Sequence, residues 1–494
     1  MTKKILFWLN ADFTYYSVAY YLQNKSDYEF YAIVDITNKP KKFFEIQKLV
    51  NFKKIWYFHD HIDMNSKFDK EYIQKIEKKY NLDLWKLAIN DRIFYGFFDF
   101  HKFSQNEIQL ILQQSITLFE EVLEYVNPDF LISEAPYLVH QELLYEICKK
   151  RNVRCLLLSM PKLGNKSLIS KSVHKFDDIQ ELDMTNFTNR TSEEILNYIQ
   201  KADPSSVMQK YVKNYSNSNS EFMNSALLYL KNSNEHEKTH FTYFGRKKIK
   251  VLIYTLKQLW KRRSRESFME KNLVTNIVSS EYVYYPMAVD MERNVLIDAP
   301  FFTNQIEMIR MIAKSLPINF QLIVKENPSQ VTRDWRSISD YKQIMDIPNV
   351  ILVHPDVSGI ELIKNSSLVI SLAGSSPLEA TFHKKPSIVF GNVIYTLIPN
   401  IVKINEIEKL PSIIKNSLNM KIEHSYLNKF LDLIDENTAK FDMFEFQTNF
   451  NKQFYLSGSY FDVELDEQEI KSFLDNVENY FDELIQLYMK KIEK

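Results

Sequence analysis

Four places in the second half of the chain put phosphate- or hydroxyl-handling side chains directly after short β-like runs. Glu292 and Arg293 follow the run at 282–289, with Gln305 a little beyond. Lys325 and Glu326 follow 320–324, and His354 ends 350–353. Gly374, Ser375, Ser376 and Glu379 follow 368–372, in Ala-Gly-Ser-Ser-Pro-Leu-Glu-Ala at 373–380. A lysine at a strand end meets phosphate as a point charge. In the 373–380 run Gly374 suits a tight turn, Ser375 or Ser376 a helix cap, and Pro377 the first turn. A helix start offers free N–H groups and partial positive charge to an anion. Glu379, one turn in, would accept hydrogen bonds from ribose hydroxyls. Each group also has a plain structural reading: a capped junction, a solvated charge pair, a packed histidine. Their convergence on one rim is what makes a site.

The elements that must position these groups alternate. Short apolar runs at 5–9, 30–35, 54–58, 130–133 and 154–159 are separated by helical stretches, with 138–150 completing a compact βαβ unit. The alternation resumes at 282–289, 320–324, 350–353, 368–372 and 387–390, with helical patterns at 305–315, 359–364 and 377–383. Runs apolar on both faces predict parallel sheets covered on both sides. The fold class expected is α/β: two Rossmann-like lobes and a helical C-terminal tail. The expected division is an N-terminal lobe at 1–213, a linker at 214–275, a second lobe at 276–405 and the tail at 406–494. Ligands of such sheets bind at the carboxyl ends of strands and in the cleft between lobes.

Composition narrows the function. The 494 residues carry a net charge of −1, against a large nucleic-acid footprint. The seven glycines lie at 96, 164, 245, 359, 374, 391 and 458, so neither G-x-G-x-x-G nor G-x-x-x-x-G-K-[ST] can be written. Any phosphate is met by another device, with Gly374 the glycine expected to be hardest to replace. Cys148 and Cys155 fit no disulfide framework, which suits a reducing cytoplasm. The apolar run after Met1 stops at Asn10 and Asp12, too short for a signal peptide, and no run approaches a membrane span.

The blocks YYPMAVDMER, FFTNQIEMIRMIAKSLP, QLIVKENP, IPNVILVHP and SLAGSSPLEATFHKKPSIVFGN resemble, in order and spacing, the capsular polysaccharide biosynthesis family. These are GT-B-type glycosyltransferases that include transferases of 3-deoxy-manno-octulosonic acid. The similarity covers about 280–395, and NLDLWKLAINDRIFY at 81–95 resembles a stretch of such proteins more loosely. The resemblance implies a donor-binding second lobe for a nucleotide-sugar and an acceptor-binding first lobe. Glu292, Arg293 and Gln305 fall on the family's P-E-R…Q positions, with Met291 where the proline stands. Lys325, Glu326 and Pro328 match K-E-H-P, with Asn327 in place of the histidine. Ser375, Ser376 and Glu379 fall on the small-residue turn and E-A positions.

Inverting transfer needs a base in the first lobe, and Asp12 and Glu134 stand just past strands there. Asp12 as a helix cap and Glu134 as a loop carboxylate are the plain alternatives, and Arg92 is a candidate acceptor contact. The expected partners are a nucleotide-sugar, as substrate with no further cofactor or metal, and a glycan or glycolipid acceptor of surface carbohydrate. The other functions in view are a UDP-sugar 2-epimerase-like enzyme and a non-catalytic glycan-binding or assembly factor. His236-Glu237-Lys238-Thr239-His240 spells H-E-x-x-H, with Glu266 or Glu270 as a third ligand, but lacks the apolar helical period a zinc site needs. His59-Asp60-His61 with Asp63 lacks a spaced fourth ligand. The segment 245–266 carries nine Lys or Arg among Val251, Leu252, Ile253, Leu256, Leu259 and Trp260. It reads as a helix lying on an anionic membrane face or as a solvated helix over the interlobe region. The location expected is the cytoplasm, with peripheral contact at the inner membrane face if the first reading holds.

Overall fold

The structure, a computed structural model, describes residues 2–96, 100–164, 166–201, 241, 243–277, 281–458 and 460–494. The first lobe is built on β1 (Lys4–Leu9), β2 (Glu29–Val34), β3 (Phe52–Tyr57), β4 (Phe130–Glu134), β5 (Arg154–Ser159) and β6 (Lys166–Ser170). The second holds β7 (Tyr282–Pro286), β8 (Gln321–Lys325), β9 (Val350–Val353), β10 (Leu368–Ser371), β11 (Ser387–Val389) and β12 (Ile401–Lys403). A thirteenth strand, β13 (Thr438–Lys440), lies near the C-terminus. The sheet orders are β13-β6-β5-β4-β1-β2-β3 and β12-β11-β10-β7-β8-β9. The second sheet is parallel throughout, and in the first only the pairings of β6 are antiparallel. Both are doubly wound, with strand order reversing between β1 and β4 and between β7 and β10, where such sheets bind ligands. The two Rossmann-like lobes expected from the sequence are therefore present.

Strand alternation sets the two cores of the first lobe. Ile5, Phe7 and Leu9 pack one face, Leu6 and Trp8 the other, and all are fully buried. The Leu6 face is covered by helices Gln105–Val126 and Val139–Lys150. The Ile5 face is covered by helix Thr14–Gln23 and by the end of the chain. Helices Met443–Phe454 and Glu467–Glu493 bring Phe450, Phe473, Phe481, Leu484 and Tyr488 into that core. Phe13 stacks on Phe450 with ring centres 4.7 Å apart. The C-terminal segment is thus a wall of the first lobe, and β13 pairs with β6 beside it. A three-residue strand carries no periodicity to read, so no local pattern signals this return and 406–494 reads from sequence as a tail.

Several boundaries moved for identifiable reasons. β7 stops at Pro286, short of 289, because the amide and carbonyl of Ala288 bond the Gln305 side chain at 2.8 and 2.9 Å. Helix Gln305–Ser315 is capped by Asn304, whose side chain accepts from the Glu307 amide. Helix Lys248–Asn272 spans from the first lobe, where Tyr254 meets Phe100, to the second, where Met269 is buried. Among the described residues no helix is long and apolar enough to cross a membrane.

Candidate functional site

In the second lobe the predicted rim separates into a scaffold and a smaller open set. Gln305 is wholly occupied: besides Ala288 it donates to Asp290 Oδ1 at 2.6 Å. Arg336, buried, pairs with Asp290 at 2.9 Å and with Glu326, and donates to the Ala288 carbonyl at 2.7 Å. Glu326 is fully buried and also accepts from Tyr341 Oη at 2.9 Å and from the Asn327 amide at 2.7 Å. It does not project from the strand end as the sequence suggested. The ion pair inside the lobe consumes it, and with Gln305 it holds the loop that carries Asp290, Met291 and Glu292.

Glu292 is held by Arg333 at 2.6 Å. Arg293 crosses to the first lobe, donating to the Pro136 carbonyl at 2.9 Å while pairing with buried Asp298 at 2.6 Å. Met291 has φ 63, in the left-handed region. A proline ring locks φ near −65° and cannot take that conformation. The departure from the proline of the P-E-R pattern therefore goes with the turn this loop makes. Asn327, in place of the expected histidine, caps the following turn by accepting from the Ser329 amide at 2.9 Å. His354 lies within 3.5 Å of Asp356 and 3.8 Å of Glu270, both well exposed.

Lys325, Ser375 and Ser376 are left. The Lys325 ammonium forms no ion pair among the described residues, and burial pushes its pKa down against the pull of Asp356 and Glu379. It stands where a Cβ on Gly359 would lie 3.8 Å from Nζ, with Tyr284 Oη 3.7 Å from the same point. Ser375 and Ser376 begin helix Ser376–Phe382, and neither caps it: Ser375 occupies the cap position with no side-chain hydrogen bond. This corrects the capping expectation and leaves neither hydroxyl with a hydrogen bond among the described residues. Gly374 has an ordinary φ, and a Cβ there would meet only Ser371 Oγ at 3.1 Å. At Gly391 a Cβ would strike Ala373 Cβ and the Asp298 carbonyl, each at 2.9 Å. Gly391 is thus the less replaceable of the two, because β11 runs straight into the turn after β10.

Across the cleft, Glu134 at the end of β4 is buried and accepts from Asn10 Nδ2 at 3.0 Å and Gln141 Nε2 at 2.8 Å, both on Oε1. Burial, then the nearby Asp12 and Asp35 charges, hold its pKa well above the usual carboxylate range. Asp12 accepts from the Thr14 amide at 2.9 Å, at the start of helix Thr14–Gln23, and from Gln447 Nε2 at 2.9 Å. Arg92 lies over the Tyr137 ring at 5.0 Å.

Sequence reasoning missed three features beside these. Asp35, after β2, is bonded by His59 at 2.7 Å and His140 at 3.1 Å, all three buried. Asp91 accepts from the amides of Ile93, Phe94 and Val139, tying the 81–95 segment to the helix after β4. Glu142, on that helix, lines an interlobe cavity of about 210 Å³ with Asn81, Asp83, Asn90, Tyr137 and Leu296. Burial raises its pKa to about 7, opposed by Arg293. Asp35 was open to the strand-end rule that found Glu134; the other two depend on which helix faces meet.

Of the metal-like runs, His59 is committed to Asp35, Asp60 pairs with Lys41 at 2.6 Å, and Asp63 closes a turn through the Asn65 amide. Residues 236–240 lie outside the described residues. Glu266 bonds Arg262 and Trp335. Among the described residues no group of three or more His, Cys, Asp or Glu side chains is arranged to hold a metal ion.

Two doubly wound lobes with parallel strands define an α/β protein of two Rossmann-like halves, a class in which ligands bind at the strand ends. Residues 190–429 match the capsule polysaccharide biosynthesis protein family. The match is wider than the 280–395 on which the resemblance rested, bears that resemblance out, and stops short of the first lobe's parallel strands. No curated protein matches the chain. Among solved structures it is similar to the KpsC beta Kdo 2,7 transferase of Thermosulfurimonas dismutans, at 9% identity over 63% of this chain and 78% of that one, TM-score 0.30. It is also similar to the UDP-GlcNAc 2-epimerase of Methanocaldococcus jannaschii, at 12% identity over 88% and 99%, TM-score 0.25. The Candida albicans trehalose-6-phosphate phosphatase N-terminal domain gives 10% identity over 92% and 97%, TM-score 0.32. Similarities at that level carry no argument about activity.

Proposed function

We propose that the protein is a GT-B-type glycosyltransferase moving a sugar from a nucleotide-sugar donor to a capsular or surface polysaccharide or glycolipid acceptor. The observation that carries this reading is the half-buried Lys325 ammonium, without an ion pair among the described residues, at a strand end of the lobe that the family match covers. A cation desolvated in advance is worth more to charge that develops at the reaction than one already paired. In this reading Lys325 takes the phosphate charge that grows as the sugar leaves. The Ser375 and Ser376 hydroxyls donate to the other phosphate oxygens, and Glu379 holds the ribose. Glu292 and Arg293, tied to Arg333 and to Pro136 and Asp298, shape the donor pocket from behind.

The acceptor hydroxyl must lose a proton as it attacks. Glu134 is the better of the two candidate bases: its raised proton affinity makes it a strong acceptor once ionised, and Asn10 and Gln141 orient one oxygen. Asp12 is engaged with the Thr14 amide and Gln447. Working at a lipid-linked acceptor would bring the protein to the inner membrane face.

The test is a thermal-shift screen with CMP-, UDP- and GDP-sugars, since a bound donor raises the unfolding temperature by mass action. One donor class should stabilise the protein, and Lys325→Ala should lose that shift. A shift unchanged in Lys325→Ala refutes the site. Asn327, spent on a turn, favours a second reading as a non-catalytic assembly factor; donor binding without transfer or hydrolysis would support it.

A further inference from the structure

Helix Lys248–Asn272 carries its apolar residues on the wrong side for a buried helix. Ile249, Ile253, Leu256 and Trp260 are 73, 62, 68 and 71% exposed, and Leu259 beside them 45%. Spacings of four, three and four residues at 100° each bring the first four within about 60° of one another, a single stripe along three turns. Lys250, Lys257 and Arg263 are exposed too, next to the stripe, and none forms an ion pair among the described residues. Residues 245–266 hold nine Lys or Arg and one acidic residue, Glu266, which is taken by Arg262 and Trp335. The opposite side of the helix and its C-terminal end attach to the body, through Tyr254 on Phe100 and through Met269. The stripe is left facing outward.

A contiguous exposed apolar stripe on a folded protein marks an interaction surface. Its flanking charge says with what: an apolar partner protein needs no cationic border, whereas an anionic lipid surface takes both together. The acyl boundary receives Ile, Leu and Trp, and the headgroup phosphates receive Lys and Arg. We propose that the face formed by Ile249, Ile253, Leu256 and Trp260, bordered by Lys250, Lys257 and Arg263, docks the protein peripherally on an anionic bilayer. Because the helix is held to the body through Tyr254 and Met269, the stripe would set the orientation of the cleft above the membrane.

The test is co-sedimentation of the full chain with vesicles of phosphatidylglycerol and phosphatidylethanolamine, against vesicles of phosphatidylcholine alone. Binding should be at least tenfold stronger to the anionic vesicles and should weaken at 0.5 M salt, where screening shortens the reach of each charge. Ile253→Ser with Trp260→Ser, and separately Lys250→Glu with Lys257→Glu, should each reduce it at least tenfold. Because all four residues are exposed, unfolding temperature and donor-induced thermal shift should not change, which separates this surface from the donor site. Equal binding to both vesicle types, or none to either, overturns the proposal. So does a wild-type dimer in light scattering that the serine variant dissociates, since a second copy would then be the occupant.

Discussion

Glu142→Gln should stabilise the protein at alkaline pH and leave it unaltered at acid pH. The Glu142 carboxyl lines the interlobe cavity and is raised by burial from 4.5 to about 7, Arg293 offsetting only part of the cost. A folded-state pKa above the unfolded value means that the folded protein binds the extra proton between about pH 4.5 and 7. Stability is therefore lost as pH rises through that window and the full penalty stands above it. At about 1.4 kcal/mol per pH unit, the penalty is about 3 kcal/mol at pH 8 and close to nothing at pH 4. Glutamine keeps the shape and never ionises. Differential scanning of both proteins should show the Glu142→Gln variant unfolding a few degrees higher at pH 8, with the gap closing by about pH 4.5. A gap independent of pH, or a glutamine variant less stable at pH 8, would refute the reasoning, because it would mean that water or an unrecognised donor solvates the carboxylate.

Other outcomes follow from the same contacts. Gly391→Ala should cost about 1–3 kcal/mol by overpacking against backbone, whereas Gly374→Ala, facing a rotatable serine, should cost less; thermal unfolding of the pair tests the ranking. Arg336→Met should lower stability by about 3–5 kcal/mol by leaving Glu326 buried without its cation, and Arg336→Met with Glu326→Leu should recover much of it. Deleting residues 467–494 should leave the first lobe insoluble, since Ile470, Phe473, Leu474, Phe481 and Leu484 close its core; soluble, folded protein would contradict that packing. Met291→Pro should unfold the 288–293 loop and loosen the lobe contact made by Arg293, read as faster proteolysis there.

What the sequence determined was periodicity and punctuation. Apolar runs on both faces set the parallel strands to within a few residues, and the position of groups just after them pointed to Lys325, Ser375, Ser376 and Glu134. It also carried the family resemblance, because the blocks from 284 to 392 keep their order along the chain. Tertiary structure alone decided which of those groups are open. Glu326 and Lys325 are neighbours of opposite fate because successive residues leave a strand on opposite faces, one toward Arg336 and Tyr341, the other toward Gly359. Arg293 reads as a donor contact from its motif but bonds the carbonyl of Pro136, a partner 157 residues away that no local pattern reveals. The same holds for the C-terminal helices, which read from sequence as a tail and in the structure close the core of the first lobe. Hydrophobic pattern states that a face must be covered; only the folded chain, where distant faces and charges compete for one another, settles what covers it.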